Sequence, residues 1–242
     1  MFQYQPGAVT DTGVFAPEGV MIYKSTTTLS DLYEYHLQIT NTKLNKQVTA
    51  KTKLVKAITF KTPPAANPNY SANFNPTSGN GYTMRWGAAP DGYIYQPEIV
   101  FHWTEVDLQT NAQTPDSLVW RLVPREGQYQ LGAEFEYVLE QNSFFRYLGE
   151  NIPVKSGIKR VIGLLTFRFY VGTEELATYV NVNKPSIGLI QEKPVYTNIE
   201  GDGLGIFSGR STFAKTGVPL NEANKDTLIF GPFTEQLNFK KN

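Results

Sequence analysis

Few side chains in this sequence have the type and spacing that catalysis or metal binding requires. The chain has two histidines, His36 and His102, and no cysteine, which excludes thiolate nucleophiles, zinc–thiolate sites and disulfides. Both histidines lie on the outward side of predicted strands, without the partners that a zinc site or a Ser-His-Asp triad needs. Glu98 and Glu105 lie on or near strands, as the acids of some β-sandwich hydrolases do, but no spacing marks them as a catalytic pair. We therefore expect no metal, no cofactor and a non-enzymatic role.

The stretch PVYTNIEGDGLGIFSGRST, residues 194–212, raises the possibility of a phosphate site because it is rich in glycine. A dinucleotide fingerprint needs G-x-G-x-x-G between a strand and a helix, and a P-loop needs G-K-[S/T]; the stretch has neither arrangement. We predict a structural turn instead, in which the glycines supply the turn geometry. Leu204, Ile206 and Phe207 are expected to fill the end of a sheet sandwich. Asn198 is expected to hydrogen-bond the local backbone.

Several aromatic side chains suggest a different kind of site, a platform on which sugar rings stack. Such a platform requires that the rings face solvent, and it would indicate a carbohydrate-binding or glycan-processing protein. The same residues follow the inward period of their predicted strands, so burial in the core is the competing interpretation. The candidates are Trp86, Tyr93, Tyr95 and Trp103.

Composition favours a β-rich protein without a strong electrostatic partner. Aromatic residues make up 13% of the 242 residues, and 20 glycines and 15 prolines separate short apolar runs. Lys plus Arg equals Asp plus Glu at 22 each, so the net charge predicts no nucleic-acid binding. No apolar run reaches the length of a membrane-spanning helix. The first residues, MFQYQPGAV, have no signal-peptide pattern.

The chain must position these residues on strands, which the hydrophobic period predicts in several places. Residues 33–40 alternate apolar and polar side chains, and 47–55 alternate again after a polar turn, which predicts an antiparallel hairpin. Residues 158–172 are predicted to form the longest strand, and TEELATYVNVN a short helix with Thr173 as its N-cap. KDTLIFGPF, residues 225–233, is expected to be the last strand.

We predict a mainly β protein made of immunoglobulin-like or fibronectin-III-like sandwich domains with one inserted α-helix. An N-terminal immunoglobulin-like piece, which can be incomplete, covers 1–62. Residues 63–80, rich in Pro, Asn, Ser and Gly, are expected to be a linker or long loop. A β-sandwich domain covers 81–242, with the helix near 132–149, where apolar residues come close to helical spacing.

Residues 194–207 resemble the C-terminal signature P-x-Y-T-N-I-x-G-x-G-x-G-x-F of a family of uncharacterised Bacteroidota envelope lipoproteins. The hairpin sequence YEYHLQITNTKLNKQVTAKTKLV is similar to that family's hairpin. The resemblance implies an all-β protein with immunoglobulin-like character, often encoded beside TonB-dependent outer-membrane receptors, and it transfers no catalytic residue. The signature residues are Pro194, Tyr196, Asn198, Gly203, Gly205 and Phe207.

On this basis we expect a non-enzymatic accessory or interaction protein associated with the outer membrane. Its expected partner is another outer-membrane protein such as a TonB-dependent receptor, with a glycan as the alternative. The family's lipoprotein signal and lipidated cysteine do not occur in this sequence, so we expect a trimmed or partial chain. A native start at Met1 would instead favour a cytoplasmic protein.

Overall fold

A computed structural model of the chain describes residues 3–5, 22–75, 79, 81–127, 129–130, 132–184 and 195–241. The chain divides into two compact units, Met1–Asp31 and Leu32–Asn242. In the first unit, strands β1 (Gln3–Gln5) and β2 (Ile22–Lys24) pair antiparallel. The other strands and helices lie in the second unit.

The predicted hairpin is confirmed and forms most of a three-stranded sheet. Strands β3 (Glu34–Asn41) and β4 (Lys46–Lys53) pair antiparallel, and the short strand β12 (Glu200–Gly201) pairs with the other edge of β4. The turn is closed by Asn41, whose Oδ1 accepts from the amides of Lys43 and Leu44 at 3.1 Å.

The central sheet is built on the two longest strands, one of which is the strand predicted at 158–172. Its order is β13-β11-β7-β8, and β9 and β14 add short pairings to β7 and β11. All neighbours are antiparallel except β14, which is parallel to β11. The strands are β7 (Ile94–Asp107), β8 (Gln113–Arg121), β9 (Arg125–Glu126), β11 (Ile158–Gly172), β13 (Arg210–Val218) and β14 (Phe239–Lys240).

Pro97 lies inside β7 without causing a bulge. Its carbonyl accepts from the Leu122 amide at 3.0 Å, just after β8 has ended at Arg121. In an antiparallel ladder the N–H and C=O of one residue point to the same neighbouring strand. Proline has no N–H, but at Pro97 that N–H would point past the end of β8, so no bond of the β7–β8 ladder is lost. The irregular register lies instead in β11, between Ile162 and Leu165.

A second sheet packs face to face on the central one, and the core lies between them. It has the order β10-β6-β5, formed by β5 (Thr59–Thr62), β6 (Tyr82–Gly87) and β10 (Glu134–Leu139). Trp86 of this sheet lies 4.8 Å from Phe169 of β11, measured between ring centroids, and Phe60 lies 5.5 Å from the same ring. The described part of the chain is therefore mainly β, as predicted.

The helix predicted near 132–149 differs from the structure in its first half. Residues 134–139 form strand β10, and helix α1 covers Ser143–Asn151. Along β10 every second side chain turns inward, while Glu134 and Glu136 face out and form ion pairs with Lys61 of β5 and Arg85 of β6. Asn142, with φ +64°, separates the strand from the helix. The apolar residues at helical spacing thus belong to two elements.

Residues 63–80 do not separate two compact units. Strand β5 before this segment and strand β6 after it are direct neighbours in one sheet, and the division of the chain falls between Asp31 and Leu32. Within the segment, Ala72 and Phe74 are fully buried, and Phe74 stacks on Phe144 with 4.0 Å between centroids. Although the segment is mostly polar, Ala72 and Phe74 belong to the core, so it is not a solvent-exposed linker.

The described residues contain three α-helices, where the inserted helix and one further short helix were predicted. Helix α2 (Glu174–Val182) follows Thr173 as predicted, and helix α3 (Glu222–Phe230) replaces the strand expected at 225–233. The Asn221 side chain caps α3 by accepting from the Asn224 amide at 2.9 Å, and Leu228 is buried one turn later. A 3-10 turn, Glu235–Leu237, leads into β14. No helix among the described residues combines the length and apolar character needed to cross a membrane.

Candidate functional site

The predicted aromatic platform is contradicted by burial. Trp86 and Tyr95 are fully buried and Trp103 is 5% exposed, so these three rings belong to the core. Trp103, for example, packs edge-on against Phe239 at 6.2 Å. Tyr93 is half-buried. The inward period of the strands, and not sugar recognition, explains these aromatics.

The two carboxylates considered for catalysis are both neutralised by basic side chains. Glu98, which is buried, lies 2.9 Å from Arg121 Nε and 3.6 Å from Arg168 Nη1. Glu105 lies seven positions further along β7, which places the two carboxylates about 23 Å apart and on opposite faces. A glycosidase pair needs roughly 5–10 Å, so these carboxylates cannot act together.

Glu105 belongs to a structural ion pair. Its carboxylate accepts from Lys155 Nζ at 2.8 Å and lies 3.0 Å from Nη2 of the buried Arg160. Burial disfavours the ionised form of Glu105, but the hydrogen bonds and charges of Lys155 and Arg160 outweigh it and lower the pKa of the carboxyl. Arg160 also donates to the Leu237 and Pro153 carbonyls at 2.8 Å, so the group ties the C-terminal segment to the sheet.

The histidines lie on the surface, as predicted. His36 is exposed and lies 3.0 Å from Glu34. His102 Nε2 lies 3.2 Å from Thr166 Oγ1, and its pKa is lowered by partial burial and by the charge of Arg168. Among the described residues, no cluster of three His, Asp or Glu side chains could hold a metal ion.

The glycine loop, residues 195–209, is closed by two polar side chains. Asn198 Nδ2 donates to the Phe207 carbonyl, and the Phe207 amide donates to Asn198 Oδ1, both at 2.8 Å. Thr197 Oγ1 donates to the Gly205 carbonyl at 2.8 Å and accepts from the Gly205 amide at 3.2 Å. The predicted bonds from Asn198 to the local backbone are confirmed. Pro194, the first signature residue, lies outside the described residues.

Glycine at 203 permits the loop to lie directly on the hairpin sheet. A Cβ built at Gly203 would stand 2.8 Å from Cγ1 of Val48 and 3.4 Å from Cγ2 of Ile199. The first distance is shorter than carbon atoms tolerate without movement. The loop backbone therefore approaches β4 as closely as it does because this residue has no side chain.

Both ends of the loop are tied to helix α2. At one end, the Tyr196 hydroxyl forms a hydrogen bond with the Thr178 side chain of α2. Burial and then the carboxylates of Glu175 and Glu174 raise the pKa of Tyr196. At the other end, the Gly209 amide lies 3.1 Å from Thr52 Oγ1 and 3.2 Å from Thr173 Oγ1.

Those two hydroxyls connect the loop end to both the hairpin and the helix. Thr52 and Thr173 are buried, and each also bonds to the carboxylate of Glu175. Strand β4, the end of the glycine loop and the start of α2 thus share one hydrogen-bond network.

Four apolar side chains around this loop stay exposed, and together we call them the loop–hairpin surface. On β4, Val48 pairs with Ile39 of β3 on one side and with Gly201 of the loop on the other, so β4 lies between β3 and the loop. An ion pair of 3.4 Å between Lys46 and Asp202 joins the hairpin turn to the loop. The four are Ile39 (54% exposed), Leu44 (65%), Val195 (76%) and Leu204 (80%).

Two of these positions correct the expectation from sequence. Leu204 points to solvent and does not fill the end of a sandwich, although Ile206 and Phe207 are half-buried. Ile39 follows the inward period of β3, yet it is exposed, whereas Tyr35 and Leu37 of the same strand are half-buried. The exposure of Leu44 was predictable from the sequence, because it is a single apolar residue in the polar turn NTKLNK.

No protein-family model, curated protein or solved structure matches this chain.

Proposed function

We propose that the chain is a non-enzymatic interaction protein of the cell envelope, which binds another outer-membrane protein through the loop–hairpin surface. The observation that carries the proposal is that Leu204 is exposed by 80% on a loop whose backbone is fixed by side-chain hydrogen bonds. Single exposed apolar residues are ordinary on protein surfaces. Val195 and Leu204 lie on the fixed loop, and Ile39 and Leu44 lie on the neighbouring hairpin, so this part of the chain is the contact surface of the proposal.

The rigidity of the loop matters for binding strength. A mobile loop loses conformational freedom when a partner orders it, and that loss subtracts from affinity. Thr197 and Asn198 bond across the loop, and Thr52 and Thr173 hold its end, so most of this ordering is complete before a partner arrives. The burial of apolar area, at about 25 cal/mol per Å², then has to offset mainly the translational and rotational freedom that the two proteins lose.

The non-catalytic part of the proposal is supported by the state of the candidate acids. Glu98 and Glu105 each form ion pairs with two basic groups, which gives them a role in joining the strands of the central sheet. The envelope location and a partner such as a TonB-dependent receptor are supported by the resemblance of residues 194–207. As part of the same proposal, the packed sheets are of the immunoglobulin or fibronectin-III kind, which their face-to-face aromatic packing supports.

The test is co-purification from native membranes in mild detergent, with the substitution Leu204→Asp on the proposed surface. We expect the wild-type chain to recover an outer-membrane protein, and the variant to recover at least about tenfold less, because burying an unpaired carboxylate is unfavourable. The matched control is Val123→Asp, which places the same charge at an apolar residue that is 70% exposed elsewhere.

The control should recover the partner as well as the wild-type chain does. Equal recovery with both aspartate variants would place the contact elsewhere and contradict the proposal. Binding to a glycan array that Leu204→Asp leaves unchanged, without any recovered protein, would favour the alternative of a carbohydrate-binding protein.

A further inference from the structure

A second candidate site lies between helix α2 and the face of the central sheet that points away from the core. The strand register places Ile94, Gly172 and Arg210 in one row across this face, and Gln96 and Tyr170 in the next row. Helix α2 crosses the first row and leaves a pocket of about 280 Å³ beside it. The residues that matter for the argument are Ile94, Gln96, Tyr170, Leu176, Val180 and Arg210.

The pocket is held open by fixed elements. A Cβ at Gly172 would stand 2.6 Å from Cδ2 of Leu176, so the missing side chain lets α2 lie on the sheet at this end. At the other end of α2, Asn181 Nδ2 donates to Glu126 at 2.8 Å, and Lys184 pairs with the same carboxylate. The helix is therefore tied to the sheet at both ends, and the pocket is part of the folded structure.

One wall of the pocket carries a cation that no carboxylate neutralises among the described residues. The guanidinium of Arg210 lies 4.3 Å from the centroid of the Tyr170 ring and forms no ion pair in the part of the chain that the structure describes. Stacking on an aromatic face holds a guanidinium flat and leaves its N–H edge available to a carboxylate, which it can bind through two parallel hydrogen bonds.

Neighbouring groups keep Arg210 in place, and three acids described near it already have partners of their own. Arg168 Nη1 lies 3.3 Å from the Tyr170 hydroxyl, which orients the ring under Arg210. Glu98 is bound by Arg168 and Arg121, and Glu126, which pairs with Ile94, is bound by Lys184 and Asn181. The Glu175 carboxylate accepts from the Thr52 and Thr173 hydroxyls. Gln96 donates its amide to the Leu122 carbonyl, so its position is fixed as well.

The rest of the lining is apolar, with Ile94, Leu176, Val180 and Pro124 contributing hydrocarbon surface. At about 30 Å³ for each water, the pocket equals roughly nine waters in volume, which suits a ligand of about ten non-hydrogen atoms. A small apolar body with one anionic end matches both the walls and Arg210.

We propose that this pocket binds a small free monocarboxylate with an aromatic or branched aliphatic body, whose carboxylate pairs with Arg210. The ligand's apolar part lies against α2, between Leu176 and Val180, and its carboxylate reaches the edge of β13. The site uses none of the four side chains of the loop–hairpin surface, so it stands independently of the proposed interaction with an outer-membrane protein.

The test is a chemical-shift titration of the whole chain with phenylacetate and, in parallel, with the neutral phenylacetamide. We expect phenylacetate to bind with a Kd of about 1 mM or below, and the amide at least about tenfold more weakly. Shifts should concentrate at the amides of residues 94–96, 170–172 and 176–180. No binding of phenylacetate at about ten times that concentration, or equal binding of acid and amide, would overturn the proposal.

Substitutions separate the specific site from general charge effects. Arg210→Gln should weaken phenylacetate binding at least about tenfold, because a charge-assisted pair is lost. The matched control is Arg146→Gln, since Arg146 also stacks on an aromatic ring, Phe233, at 5.4 Å, and the net charge changes equally. Equal weakening by both would overturn the proposal.

A second variant tests the apolar part of the pocket. Val180→Phe fills the pocket from α2 and should weaken phenylacetate binding while the melting temperature shows that the chain is folded. Unchanged affinity in a folded Val180→Phe protein would overturn the placement of the ligand beside α2.

Discussion

Asn198 and Phe207 are joined by two hydrogen bonds of 2.8 Å, one in each direction between the side-chain amide and the backbone. The side-chain amide thus bonds the Phe207 backbone as one paired strand residue would, and it closes a loop over nine positions. Because one half of the amide donates and the other half accepts, no other side chain of that size reproduces both bonds. The loop that carries the exposed Leu204 depends on this contact.

The first prediction concerns that amide. Asn198→Asp keeps an acceptor for the Phe207 amide but sets a carboxylate oxygen against the Phe207 carbonyl. We expect the free energy of unfolding to fall by about 1–3 kcal/mol, measured by urea denaturation at neutral pH. The control is Asn67→Asp, since exposed Asn67 uses only its Oδ1, which accepts from the Asn69 amide at 2.9 Å, and aspartate retains that acceptor. Equal stability of both variants would show that the Asn198 bonds contribute little.

The second prediction concerns Gly203. Gly203→Val puts branched carbon atoms where even a Cβ would stand 2.8 Å from Val48, so the loop must lift from β4. We expect a lower melting temperature, with Gly203→Ala between the wild type and the valine variant, because overpacking typically costs about 1–3 kcal/mol. An unchanged melting temperature combined with loss of partner binding would mean that this glycine serves recognition and not structure.

The third prediction concerns the pH dependence of stability through Glu105. Its pKa is lowered below the ordinary value of 4.5 in the folded protein, so its stabilising contribution is present above that value. The contribution is lost as the pH falls through the lower folded-state pKa. Glu105→Gln should remove this part of the acid sensitivity, and urea unfolding between about pH 6 and pH 3 measures it.

At neutral pH the same substitution should destabilise the protein by about 2–3 kcal/mol, because buried Arg160 loses its carboxylate partner. The control is Glu136→Gln, which breaks an exposed ion pair with Arg85. Such pairs contribute little, so its stability should change by less than about 1 kcal/mol. A Glu105→Gln protein as stable as this control would contradict the structural role of the pair.

The fourth prediction concerns the anchoring of residues 63–80. Asn224 is buried, accepts from the Phe74 amide at 2.6 Å and donates to Asn73 Oδ1 at 2.9 Å. Asn224→Ala leaves the Phe74 amide buried without its acceptor, and we expect about 1–3 kcal/mol of destabilisation. Hydrogen exchange should accelerate most at Phe74. The Ala72 amide, which donates to the Pro219 carbonyl at 2.8 Å, is the internal reference and should change less.

Local sequence patterns were sufficient to predict an element where its apolar residues follow one clear period. The alternation in residues 33–40 and 47–55 predicted the β3–β4 hairpin, and the apolar run at 158–172 predicted β11. Asn198 was likewise predicted to bond the nearby backbone, since a short amide side chain among glycines has few other partners. These features depend on neighbours in sequence, so the sequence carries them.

Other features depend on which surface a segment meets, and only the tertiary structure decided them. Strand β10 has apolar residues that fit a helix or a strand, and pairing with β6 selected the strand. The run at 225–233 was predicted as a strand, but most of it belongs to helix α3, which the Asn221 cap and the burial of Leu228 stabilise. The exposure of Leu204 and the position of Arg210 beside α2 both follow from long-range packing. Hydrophobic period and composition indicate whether a side chain favours burial. Contacts with elements from distant parts of the chain determine whether it is buried.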